Sequence, residues 1–144
     1  MDLFSFNEIQ ITYVSGQLGP QIQTSLDIYD LLLPNWLDLD YCESFYVVLL
    51  NRGNLVLGVK KISTGSVSGT VADPKKIFQS ALKANASSIV LCHNHPSGKV
   101  NPSANDQNLT KKCVNAGKFL DLPVLDHIIF ARKTYFSFAD EGIL

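Results

Sequence analysis

The chain has 144 residues, 46% of them hydrophobic and 17% charged, the balance of one soluble domain able to bury a core of its own. Its longest apolar stretch, Phe45 to Leu50, is far too short to span a membrane, and the start, Met1-Asp2-Leu3-Phe4, lacks the basic lead of a secretory signal. Cys42, Cys92 and Cys113 are odd in number and lie in apolar contexts, which reads as reduced thiols rather than a disulfide frame. The expectation is a single cytoplasmic domain over residues 1–144 with no membrane partner.

Net charge is −1, but its distribution is uneven: residues 1–59 carry −6, residues 60–118 carry +7 and residues 119–144 carry −2. Folding can interleave these segments so that they neutralise one another, because charge along a chain is not charge on a surface. The sharper alternative is a basic face built from Lys60, Lys61, Lys75, Lys76, Lys83, Lys99, Lys111, Lys112 and Lys118.

In chain order, Phe6 to Val14 alternates around Ile9, Ile11 and Tyr13 and predicts a half-buried strand ended by Gly16 and Gly19-Pro20. Ile22, Leu26, Tyr29 and Leu33 recur at helical spacing, predicting a helix over residues 20–33 that stops before Pro34. Ser44 to Leu50 is a continuous apolar run that suits a central strand, and Asn51-Arg52-Gly53-Asn54 turns it into a returning strand over Leu55 to Ile62. Ser66 to Ala72 reads as a further short strand.

Asp73-Pro74 supplies an N-cap acceptor followed by proline at the first helical position, so a helix runs to about Ala84. Ser88 to Cys92 predicts another buried strand, ended by His95-Pro96. A second helix opens at Pro102-Ser103 on the stripe Leu109, Cys113 and Ala116, with Gly117 as its left-handed cap. Val124 to Phe130 and Thr134 to Phe138 close the chain as a hairpin. This order implies an α/β, α+β-like domain: a mixed sheet with helices packed on it.

The chemistry concentrates in Cys92-His93-Asn94-His95-Pro96-Ser97-Gly98-Lys99 and Asn101-Pro102-Ser103-Ala104-Asn105-Asp106. On an extended chain alternate side chains share a face, so His93 and His95 project together while Asn94 and Cys92 point away. Asp106 lies three residues before Leu109 and seven before Cys113, on the inward stripe of its helix, where an unpartnered carboxylate is costly. Two neutral imidazoles and one carboxylate leave a fourth zinc position open, the catalytic rather than the structural pattern. Zinc lowers the pKa of water from about 16 towards about 7. Each residue has a plainer reading. Ser103 and Asp106 have capping-box spacing, a lone histidine at a strand end is usually packed or solvated, and Cys92 reads as a small buried hydrophobe. The contiguous His-Asn-His only coincides with the name of the HNH nucleases, whose three residues are spread over a longer unit.

The string His93-x-His95, Ser103-x-x-Asp106 with a glutamate far upstream resembles the JAMM motif of JAB/MPN domains. The longer run His93-Asn94-His95-Pro96-Ser97-Gly98, Leu109-Thr110 and Asp126-His127-Ile128-Ile129 resembles the RadC branch of that superfamily, over roughly residues 40–144. The resemblance implies a cytidine-deaminase-like mixed sheet with flanking helices, a zinc ion and a metallopeptidase-type site. Carried over, His93, His95 and Asp106 are the zinc ligands, Ser103 supports the substrate oxyanion and Glu43 is the general base. Of Glu8, Glu43 and Glu141, only Glu43 abuts the central strand. Asn94, Ser97 and Lys99 follow the family string as candidates to line the cleft, and His127 either packs or supports a ligand from behind.

The chain departs from the family pattern in two places. A helix–hairpin–helix region common before this domain is replaced by about forty residues of different character. The family's histidine-proline-arginine-glutamate is here Ala72-Asp73-Pro74-Lys75-Lys76, which still starts a helix.

Three functions are in contention. The first is a zinc-dependent hydrolase in which activated water attacks a peptide or isopeptide carbonyl, with a polypeptide substrate. The second is a DNA-associated factor with a structural zinc, motivated by the lysine-rich middle segment. The third is a deaminase, which the chain fits poorly because it lacks the proline-Cys-x-x-Cys ligand pair and a glutamate two residues after the first ligand.

Overall fold

The computed structural model describes residues 7, 9–65 and 72–144. Its elements are helix α1 (Ser25–Leu32) running into a 3-10 turn (Leu33–Asn35), strand β1 (Ser44–Leu50), strand β2 (Val56–Thr64) and helix α2 (Pro74–Lys83). Strand β3 (Ser88–Asn94), helix α3 (Ala104–Phe119), strand β4 (Val124–Phe130) and strand β5 (Tyr135–Ser137) complete it.

The strands form one five-stranded sheet in the order β2-β1-β3-β4-β5. All neighbours are antiparallel except β3 and β4. A parallel pair needs a crossover, and α3 supplies it. The first turn of α3 therefore returns past the end of β3, where the histidines lie.

The all-apolar run of β1 and the continuous burial of β3 place both strands in the interior of the sheet. Alternate residues feed two layers. Phe45, Val47, Leu49, Ile89 and Leu91 pack beneath α2 and α3 with Ile77, Phe78, Ala81 and Cys113. Val48, Leu50, Val90, Cys92, Ile128 and Phe130 face the other way, against Ile28, Tyr29, Leu32, Trp36 and Leu39. Cys92 thus points away from His93, and all three cysteines are free thiols. Among the described residues no helix is long and apolar enough to cross a membrane.

Three sequence expectations change, and a fourth falls almost wholly outside the described residues. The strand expected over Phe6–Val14 is absent from its described residues, which have no regular structure and leave Ile9 85% and Val14 88% exposed. The start of β2 bonds the stretch that follows instead. Gly19 N–H donates to the Val56 carbonyl, and Val56 N–H donates to the Pro20 carbonyl. An amphipathic segment without a ladder partner has no reason to stay extended.

Helix α1 begins at Ser25 rather than residue 20, because Thr24 and Asp27 close a capping box there. It buries Ile28, Tyr29 and Leu32 rather than Leu26, which is exposed. Gly117 is not a left-handed cap: α3 continues to Phe119, and the positive φ falls on Asp121. Gly117 is required instead by close approach, since a Cβ there would collide with the Leu122 carbonyl. The strand expected over Ser66–Ala72 lies outside the described residues except for Ala72, which is not in a strand.

Candidate metal centre

Strand β3 carries His93 to its end, and Phe45 of β1 sits opposite it in register. The ring of Phe45 stacks on that of His93 at 5.8 Å, so the imidazole is held from one side and is 3% exposed. His95 lies just past the strand, tethered by its N–H to the Phe130 carbonyl. Its ring Nδ1 lies 2.7 Å from the Lys99 carbonyl oxygen. The turn that brings Lys99 back uses Gly98 at φ 84°, a left-handed conformation that suits glycine.

Asp106 arrives on the first turn of α3 and performs both jobs its sequence position suggests. It closes the capping box, accepting from Ser103 N–H at 2.8 Å while the Ser103 hydroxyl accepts from Asp106 N–H at 3.1 Å. Its carboxylate also meets both imidazoles: Oδ1 lies 3.2 Å from His93 Nε2 and Oδ2 lies 3.3 Å from His95 Nε2. The two Nε2 atoms are 3.1 Å apart. One ligand atom from each of His93, His95 and Asp106 falls within 4.8 Å of the others.

Electrostatics follow from this crowding. Partial burial pushes the Asp106 carboxyl pKa up, but hydrogen bonds from His93 and His95 outweigh it and hold the group far below the ordinary range. Burial lowers the His95 pKa, yet the Asp106 hydrogen bond, the Lys99 carbonyl and the Asp106 and Glu43 charges together raise it. The influence of Glu43 puts its half-buried carboxylate within electrostatic reach of His95.

The donor set fits a cation. A carbonyl oxygen only accepts, so His95 Nδ1 bears the proton shared with Lys99, and its Nε2, beside the Asp106 carboxylate, is the nitrogen left for a cation. Neutral imidazole nitrogens and a carboxylate oxygen converging on one point could hold a divalent metal.

Behind the ligands, His127 of β4 is 0% exposed. Its Nε2 lies 2.8 Å from His93 Nδ1, and its Nδ1 lies 2.6 Å from the Thr110 hydroxyl. Burial first, and then the neighbouring His93 ring, pushes the His127 pKa well below that of a free imidazole.

Asn94 does not line the cleft with its neighbours. It is fully buried on the opposite side of β3, where its Oδ1 accepts from Ser44 N–H at 2.7 Å. Its Nδ2 donates to the Leu39 carbonyl at 2.7 Å and the Cys42 carbonyl at 2.8 Å. These bonds flank Glu43 on both sides and fix it relative to the strand that bears the histidines. Ser97 and Lys99 are exposed, and Lys99 reaches His95 through its main chain rather than its ammonium.

Sequence reasoning did not single out Thr110 for a role. The available signal was its position four residues after Asp106, on the same face of one helix.

A mixed sheet whose third strand ends in His-x-His, with an acid opening the crossover helix behind it, defines an α/β domain of the JAB/MPN class. The family model described as RadC-like JAB domain matches residues 22–143, and the chain belongs to that family. The match begins upstream of residue 40 and takes in Ile22, Ile28, Trp36 and Leu39, which are part of the core. The chain is similar to UPF0758 proteins of Flavobacterium johnsoniae, 41% identical over 85% of this chain and 53% of that protein, and of Symbiobacterium thermophilum, 35% identical over 81% and 50% respectively. A third, from Rubrobacter xylanophilus, is 41% identical over 87% of this chain and 54% of its own. The chain spans about half the length of the curated relatives it matches.

Proposed function

We propose that this domain is a zinc-dependent hydrolase that opens a peptide or isopeptide bond. The observation that carries the reading is the convergence of His93, His95 and Asp106 at one point, with ligand types that suit zinc and leave it a fourth position. Zinc, when bound there, supplies Lewis acidity that acidifies water and polarises a carbonyl. Glu43, close enough to act on the His95 charge, takes the proton of the attacking water and returns it to the leaving amine. The Ser103 hydroxyl accepts from Asp106 N–H, so its own proton is available to the developing oxyanion.

Zinc-replete protein should carry about one zinc per chain, and Asp106→Ala should lose it. Glu43→Gln should keep the metal while losing cleavage of a synthetic library of peptides and ε-lysyl isopeptides. Wild type without metal overturns the zinc reading. Zinc-loaded wild type inert on every library member overturns the hydrolase reading.

A second reading, a nucleic-acid-binding face, is favoured by one observation. Lys75, Lys76 and Lys83 of α2 and Lys111, Lys112 and Lys118 of α3 are all exposed on helices that cover the same side of the sheet. Among the described residues none of the six makes an ion pair. Phosphate-driven binding of a DNA duplex should weaken steeply with salt, and should disappear in a Lys75→Glu, Lys76→Glu, Lys111→Glu, Lys112→Glu variant. Absent or salt-independent binding removes this reading.

A further inference from the structure

We infer that Thr110, acting through His127, sets which nitrogen of His93 carries the proton, and so makes His93 Nε2 the ligand atom. The inference deepens the zinc reading above and rests on it for its consequence, but its central statement concerns the protein's own protons.

The count starts at the helix. The Thr110 hydroxyl lies 2.6 Å from the main-chain carbonyl of Asp106. That carbonyl can only accept, so the single hydroxyl proton belongs to this bond. The Thr110 oxygen must then accept at its other contact, 2.6 Å away, and His127 Nδ1 is the donor. The alternative, a hydroxyl turned to His127, would leave two oxygen lone pairs facing each other at the helix contact.

His127 is enclosed by aromatic rings, stacked on Phe138 at 4.8 Å and tilted against Phe45 at 5.7 Å, and among the described residues no carboxylate side chain is hydrogen-bonded to its ring. With Nδ1 protonated, its Nε2 is left bare and accepts across 2.8 Å from His93 Nδ1. His93 therefore keeps a proton on Nδ1, which leaves Nε2, beside Asp106 and His95, as the nitrogen able to bind a cation. Lys99 achieves the same for His95 with one carbonyl.

The path begins at the carbonyl of one metal-ligating residue, Asp106, and ends on the ring of another, His93. Thr110 and His127 are positioning residues: neither has an atom among the converging ligands, yet the direction of the His93 lone pair depends on both.

The experiment uses the full chain in two measurements. Long-range proton–nitrogen correlation NMR on metal-free protein reads each histidine tautomer directly. Chelator competition reads the zinc dissociation constant of wild type, Thr110→Val and Thr110→Ser. We expect protonated Nδ1 on His93, His95 and His127 in wild type. Thr110→Val, near in shape but without the hydroxyl, should change the His127 tautomer and weaken zinc binding about 10- to 100-fold. Thr110→Ser should restore both. His93 with no proton on Nδ1 in metal-free wild type overturns the inference, as does a folded Thr110→Val that binds zinc as wild type does. If Thr110→Val does not fold, the wild-type tautomers and the Thr110→Ser constant still decide. Failure of wild type to bind zinc would strike the zinc reading alone, because the tautomers are read without metal.

Discussion

On one side of β3, Leu91 and His93 lie under α2 and α3; on the other, Val90, Cys92 and Asn94 lie toward α1 and Trp36. The first side admits imidazoles, a hydroxyl and a carboxylate at its edge, each bonded to another. The second buries Asn94, whose amide is fully used on main-chain groups, and Asp126, which accepts from Ser137 and from the His127 and Ala139 N–H groups. The difference teaches how one strand divides its labour. Alternate positions hold the converging imidazoles or hold the frame, and the buried His93 and Asn94 each have partners on their own side.

That division can be broken from the frame side first. Phe130→Ala removes a ring packed against Tyr29 at 5.2 Å and Trp36 at 4.8 Å. It should cost about 3–5 kcal/mol in urea unfolding, while the folded fraction still takes up zinc. Loss of metal from protein that remains folded would show that the two layers are not separable.

A smaller effect sharpens the comparison at Asn94. Asn94→Ala strands Ser44 N–H and two carbonyls, so stability should fall by about 2–3 kcal/mol. Because Glu43 is held between those bonds, turnover should fall too, with zinc affinity close to wild type. A variant that loses zinc and turnover together would mean that Asn94 shapes the ligand side as well.

The smallest expected effect is a pH dependence shared by the two layers. Burial pushes the Cys92 thiol well up and the Cys113 thiol up to about 11. A raised folded pKa means stability is fully present below the unfolded thiol value of about 8.5 and is lost as pH rises towards the folded value. The urea midpoint should decline from pH 8 to pH 10, and the decline should shrink in Cys113→Ala. A midpoint that is flat over this interval would contradict the burial of both thiols.

The ligand triad was legible because its geometry is local. Two-residue spacing puts His93 and His95 on one side of an extended chain, and helical spacing turns Asp106 inward. The apolar strands β1, β3 and β4 were equally readable, each dense enough that no other element could bury them. The N-terminal segment was misread because alternation signals a face without supplying a partner edge. Gly117 was misread because the need for a missing Cβ arose from Leu122, a contact that helix-capping rules do not foresee. Asn94 was correctly turned away from the histidines, but its real targets, Leu39, Cys42 and Ser44, become neighbours only when β1 pairs with β3. The tie between Thr110 and His127 likewise joins a crossover helix to the strand that follows it.

The three converging side chains all come from one strand end, the turn after it and the opening of the next helix, whereas Glu43, just before β1, lies on the far side of α2 in the chain. Gathering the three therefore requires only a short loop closure, which is quick and entropically mild. Bringing Glu43 alongside requires long-range assembly of the sheet. On the proposed reading, possession of the ion and use of it are thus separate acquisitions in this architecture, and altering the stretch before β1 should remove the second while the first persists.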